Sequence, residues 1–268
     1  MKKLLLVLCL VLGLVGCSNN QEEENVIKVS ATLDPHSKIL EVAKDILADE
    51  YGYELEIIIL DDYAVFNRAL DNGEVDANYF QHIPYFEEQV ASQGYDIVNV
   101  GGVHIEPFGF YSSSIEKIDQ LKDGDTIVIS NSVADHWRLL AILEKEGLIK
   151  LDPSVNKREA VTKNIVENEL NLKFVEIKPE LLTTALKNNE GALVAINGNY
   201  AIAAGLNPLN DSIILEKGTS DNPYVNIVAA QTDHKDDPKV VALYNVLKSD
   251  EVCQFIEETY QGSVIVAE

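Results

Sequence analysis

The chain has 268 residues, of which 46% are hydrophobic, and a formal net charge of −23. That length and composition can build one large domain or two modest lobes with a substantial core. The acidity excludes nucleic acid and a basic lipid-binding face, but leaves room for a small ligand held by one arginine inside a pocket.

In chain order, Lys2 and Lys3 precede an apolar run from Leu4 to Val15, followed by Gly16 and Cys17. A basic end, a short apolar stretch and small residues before a cut site read as a secretory signal over residues 1–16. The run is too short for a comfortable membrane span. Leu14-Val-Gly-Cys17 resembles the bacterial lipobox, which implies cleavage before Cys17 and lipid attachment to it. The plainer alternative is a secretory leader with Cys17 left free. Residues 17–25, with Glu22, Glu23 and Glu24, read as a solvated leash. With Cys9 lost and Cys17 modified, Cys253 is alone and no disulfide framework can form.

Strand and helix patterns then alternate, which predicts α/β architecture. Val26 to Ala31 reads as a strand, and Asp34-Pro35 as the cap and first turn of a helix ending near Gly52. Glu54 to Leu60 is a strand, and Asp62 caps a helix with Phe66, Ala69 and Leu70 facing inward. Val75 and Ala77 read as the end of a buried strand, and Pro84 as the first turn of a helix stopped by Gly94. The segment between them carries Asn78, Tyr79, Phe80, His82 and, just inside the helix, Tyr85. Read as a strand-to-helix loop, it concentrates recognition chemistry where open α/β sheets bind ligands.

A strand from Ile97 into Val103 precedes a break at His104-Ile-Glu-Pro-Phe-Gly109. Further strands are expected at Phe110 to Ser112, Asp125 to Ile129, Lys173 to Ile177, Ala192 to Asn197 and Tyr224 to Ala230. Helices are expected at Ala134 to Glu146, Pro179 to Lys187, Asn197 to Gly205, Pro238 to Lys248 and Asp250 to Tyr260. Asp76-Ala-Asn-Tyr79 and Asn197-Gly-Asn-Tyr200 echo one another where strand gives way to helix, one in each half. The echo fits two lobes of like topology, each offering an Asn-Tyr edge to a shared cleft.

Six motifs occur in order: Pro35-His36, Asp76-Ala-Asn-Tyr-Phe-Gln-His-Ile-Pro-Tyr85, Val103-His-Ile-Glu-Pro107, Asn197-Gly-Asn-Tyr-Ala201, Ala204-Gly-Leu206 and Tyr224-Val-Asn226. Together they resemble the NlpA lipoprotein family, the methionine-binding lipoproteins of ABC importers. The resemblance implies a two-lobed periplasmic-binding-protein fold with a ligand cleft between mixed sheets flanked by helices. Residues 26–105 and 222–268 would form the first lobe and 106–221 the second. It implies capture of methionine, or a short peptide containing it, for a permease driven by a cytoplasmic ATPase. The protein would work as a lipid-anchored monomer on the outer face of the cytoplasmic membrane, without a cofactor.

The site residues carried by the resemblance are Tyr79, Phe80, His82 and Tyr85 around the side chain, Arg138 on the carboxylate, and Asn199 and Asn226 on the ammonium. Their chemistry suits such a ligand, since a guanidinium can grip a carboxylate bidentately and aromatic rings attract sulfur. Family members usually read Asn-Asp-x-Thr-Asn-x-Gly-Arg where this chain reads Asn131-Ser-Val-Ala-Asp-His-Trp-Arg138. Asp135 and Trp137 are therefore expected to bear on specificity.

Rival readings are a metal importer component using His82, His104, Glu106, Asp135 and His136, and a surface lipoprotein whose cleft Trp137 fills. An enzyme is disfavoured because no Gly-x-Ser-x-Gly, His-Glu-x-x-His or phosphate-cradling glycine loop occurs.

Overall fold

The structure, a computed structural model, describes residues 25–219 and 222–268. The leader, Cys17 and nearly all of the leash lie outside the described residues. The first part of the chain runs β1 (Val26–Ala31), α1 (His36–Ile46), β2 (Glu54–Ile59), α2 (Tyr63–Asp71), β3 (Ala77–His82), α3 (Ile83–Gln93) and β4 (Ile97–Ile105). A second part follows as β5 (Gly109–Tyr111), β6 (Thr126–Ser130), α4 (Val133–Lys145), β7 (Lys150–Leu151), β8 (Ile165–Glu167) and β9 (Lys173–Ile177). It continues as α5 (Leu182–Lys187), β10 (Leu193–Ile196), α6 (Gly198–Ala203), α7 (Pro208–Asp211) and β11 (Ile214–Leu215). The chain ends with β12 (Val225–Gln231), α8 (Pro238–Leu247), α9 (Asp250–Tyr260) and β13 (Ile265–Val266).

Two mixed sheets result. The first has six strands in the order β13-β4-β12-β3-β1-β2, and the second five in the order β11-β5-β10-β6-β9. The chain passes from one to the other between Ile105 and Gly109 and returns between Leu215 and Val225. Apolar side chains on both faces of each sheet explain the flanking helices. Ile27, Val29, Leu40, Leu243 and Ile256 pack one face of the first sheet, and Leu70, Phe86 and Ile227 the other. In the second sheet Ile127 and Ile129 meet Leu139 and Leu143 of α4, while Val128 and Val194 meet Leu182 and Ala201.

The helix ends follow their local chemistry. Asp62 Oδ1 accepts from the Ala64 N–H at 2.9 Å, and Gly94 and Gly147 end their helices at φ of 75°. Asp34 departs from expectation. It does not cap α1, because its carboxylate accepts from the Tyr260 hydroxyl at 2.7 Å and Pro35 takes the cap position.

The largest correction falls on residues 77–82. They form a strand, not a loop, because their backbone pairs with β1 on one side and β12 on the other. Tyr79 and Phe80 accordingly leave on opposite faces. Tyr79 enters the core beneath α1 and α9, while Phe80 stacks on Phe66 of α2 with centroids 3.9 Å apart. The expected Asn-Tyr edge is therefore absent from this half: Asn78 is buried in hydrogen bonds with Asn67 and Gln81. β4 likewise runs on to Ile105, since Val225 and Ile265 pair with it from both sides.

Candidate functional site

A small, nearly filled cavity lies between the two sheets. Tyr63, Phe80, Gln81, His82, Tyr85 and Asn226 line it from the first sheet's side. Asp135, Arg138, Asn197, Gly198 and Asn199 line it from the second, with Glu106 at the crossing between them. Six of the seven residues expected to touch a ligand thus meet here, together with Asp135. Tyr79 is the exception: it is 0% exposed and bonds His104 beneath the sheet. Trp137 does not plug the cavity. One helical step from His136, it packs on the second lobe's core and borders an outer groove with Ile142 and Lys145.

One wall is aromatic. Tyr63 lies 5.7 Å from both Phe80 and Tyr85, and Phe80 and Tyr85 are 6.0 Å apart. Such rings offer soft, polarizable contact to an aliphatic or thioether chain.

Arg138 faces this wall from α4, but its bidentate grip is already taken. Nε donates to Glu216 Oε1 and Oε2 at 3.1 and 3.0 Å, and Nη2 donates to Glu216 Oε2 and the Glu106 carbonyl, both at 2.5 Å. The Tyr224 ring lies 4.3 Å from its Cζ. Burial alone would lower the guanidinium's pKa, but Glu216 outweighs it and holds the charge. Nη1 makes no hydrogen bond among the described residues, and Arg138 lines the cavity.

Three links close the cavity across the cleft. His82 accepts the Tyr85 N–H at Nδ1 (3.1 Å), so its Nε2 carries the proton and donates to Asp135 Oδ1 at 3.0 Å. The Tyr63 hydroxyl donates to Asn199 Oδ1 at 2.5 Å, and the Tyr200 hydroxyl donates to the Asp61 carbonyl.

Beneath the cavity Glu106 meets two fully buried imidazoles. Its Oε1 lies 3.0 Å from His104 Nε2 and 3.5 Å from His36 Nε2. Each Nδ1 faces a hydroxyl, Thr32 for His36 and Tyr79 for His104, and His36 Nε2 also reaches Asn226 Oδ1 at 3.1 Å. This trio is the one metal-capable cluster among the described residues. It differs from the expected set: His136 turns away to the Ser130 carbonyl, and His82 and Asp135 pair with each other across the cleft. The trio's nitrogens are all committed to hydrogen bonds, which suits a rigid floor.

Burial pushes both imidazoles down to about 3 and pushes the Glu106 carboxyl up. Below about pH 6.5 the unfolded chain therefore binds two protons that the folded chain refuses until near pH 3, so stability falls with pH across that window. Glu106 opposes this, because folding raises its pKa, but one carboxyl offsets at most one histidine. Urea unfolding midpoints should drop steadily from pH 7 to pH 4, and His104→Gln should flatten the slope.

Gly198 permits the close approach that seats Glu106. A Cβ there would lie 2.6 Å from Glu106 Cβ and 2.7 Å from Oε2. Gly198→Ala should cost about 1–3 kcal/mol by overpacking, read as a lower thermal midpoint, and should weaken ligand binding by displacing the carboxylate.

The family model described as NlpA lipoprotein matches residues 27–267. The chain belongs to the NlpA lipoprotein family. Among NlpA relatives, the methionine-binding lipoprotein MetQ of Bacillus subtilis is 45% identical over 264 residues, covering 98% of this chain and 96% of that one. A crystal structure of a lipoprotein from Bacillus subtilis superposes with a TM-score of 0.88, covering 92% of this chain and 99% of the other at 45% identity. A nutrient-binding protein from Burkholderia cenocepacia bound to methionine gives 0.85 at 34% identity, covering 90% and 100%. The chain is thus a two-lobed α/β substrate-binding protein and not an enzyme. No helix among its described residues is long and apolar enough to cross a membrane.

Sequence reasoning missed Tyr63, Gln81, Asn197 and Glu216. Asn197 was within reach, since it opens the Asn-Gly-Asn-Tyr motif; Tyr63 directly follows the recognised cap Asp62. Glu216 carried no local signal, because it meets Arg138 across 78 residues.

Proposed function

We propose that this protein captures methionine, or a closely related amino acid or short peptide, as the substrate-binding lipoprotein of an ABC importer. The observation that carries the reading is the convergence of an aromatic wall on one lobe with Arg138 on the other around one cavity. Phe80, His82 and Tyr85 would hold the side chain and the free edge of Arg138 the carboxylate. Only the closed cleft makes both sets of contacts, so ligand shifts the population toward closure. The permease, with its cytoplasmic ATPase, would receive the closed form from a monomer tethered at Cys17 to the outer face of the cytoplasmic membrane.

Mass spectrometry of small molecules released on denaturing the purified protein tests this directly. Methionine or a methionine-containing peptide is expected; consistent recovery of an unrelated ligand would overturn the assignment. The His36–His104–Glu106 cluster is the feature that favours metal transport instead. If amino-acid binding is the function, adding EDTA leaves the melting temperature unchanged.

A further inference from the structure

We infer that Asp135 and the side-chain oxygen of Asn197 form a subsite for a cationic amine, and that Asp135 makes this amine a requirement for binding. The inference rests on the reading above that the ligand is an amino acid, and it locates the amine end of that ligand.

Asp135 lines the cavity while being only 1% exposed. Its Oδ1 accepts from His82 Nε2 at 3.0 Å and its Oδ2 from Asn197 Nδ2 at 3.1 Å. An ionised carboxylate offers about four acceptor positions, so about two stay open. Burial pushes the Asp135 carboxyl up, yet His82, Asn197 and Arg138 together hold it below its ordinary range. The Arg138 guanidinium, which helps to hold that charge, is itself paired with Glu216.

Asn197 supplies the second, independent observation. Its Oδ1 is buried without a hydrogen-bond partner. The amide cannot be turned to cure this, because Asp135 only accepts and so demands the NH₂ side. A buried acceptor left unmet is costly, and an ammonium carries three donors that could meet it together with Asp135. The amide oxygens assigned to the ammonium by resemblance are already engaged: Asn199 Oδ1 accepts from Tyr63, and Asn226 Oδ1 meets His36. An asparagine at position 135 would keep an acceptor there but remove the charge.

Calorimetric titrations compare two pairs of probes: L-methionine with 4-(methylsulfanyl)butanoate, and L-leucine with 4-methylpentanoate, the second of each pair lacking only the amine. The parent should prefer an amine-bearing probe by about a hundredfold, and Asp135→Asn should cut that preference by about tenfold. His82→Ala, which removes the bridge but keeps the carboxylate, should weaken both probes of a pair and retain the preference. The subsite is refuted if Asp135→Asn keeps the full preference, or if both variants weaken amine-bearing and amine-free probes equally, as a purely structural role in closure would. An Asp135-dependent preference seen only with the leucine pair would retire methionine and leave the subsite standing. Binding of methionine with an unaltered preference in Asp135→Asn does the reverse, and failure of every amine-bearing probe removes both.

Discussion

Arg138→Gln is expected to bind methionine at least about a hundredfold more weakly than the parent and to unfold more easily. A charge-assisted contact to the ligand carboxylate contributes roughly 1.5–3 kcal/mol, and its loss is compounded here. Glu216, now without its guanidinium, would place an unpaired carboxylate close to the ligand's own. Breaking a buried pair in this way costs about 3–5 kcal/mol of stability, and the two side chains are only 4% and 14% exposed. The double variant Arg138→Gln, Glu216→Gln separates the two effects. Urea unfolding should show much of the stability recovered, while calorimetry should still find binding lost. Recovery of binding in the double variant would mean that Arg138 serves the fold and not the ligand.

Phe80→Ala should destabilise the protein by about 3–5 kcal/mol, the usual cost of deleting a buried ring. Phe80 is 3% exposed and sits between Phe66 and the cavity. The change would open both the core beneath α2 and the aromatic wall, so affinity for methionine should fall together with the unfolding midpoint. Tyr79→Phe is the internal control. It removes the hydroxyl that meets His104 but touches no cavity surface, so affinity should stay within about twofold while stability drops by about 1 kcal/mol. Equal effects of the two variants on affinity would contradict the placement of these neighbours on opposite faces.

These two residues also mark how far the sequence could be read. The alternation of strands and helices, the Asp62 cap and the glycine stops at Gly94 and Gly147 rest on local chemistry and were legible. Residues 77–82 were not, because β3 lies inside its sheet with both faces covered: Ala77 to Gln81 are all buried, so no polar–apolar alternation shows which way Tyr79 points. β13, with two residues, is too short for any periodic signal. Glu216 and the pairing of His36 with Glu106 depend on contacts between distant segments, which no window of sequence contains. The residues carried over by the family resemblance, Phe80, His82, Tyr85, Arg138, Asn199 and Asn226, meet around one space, while the partners that already occupy several of them were visible only in three dimensions.

The hydrogen bonds from His82 to Asp135, Tyr63 to Asn199 and Tyr200 to Asp61 join protein to protein and need no guest. A shell fastened to itself has to be prised apart before cargo can enter or leave, so the rate of exchange is set by the fasteners and not by diffusion. Loosening one of them, as in Tyr63→Phe, should therefore shorten the dwell time of the cargo and speed its capture together.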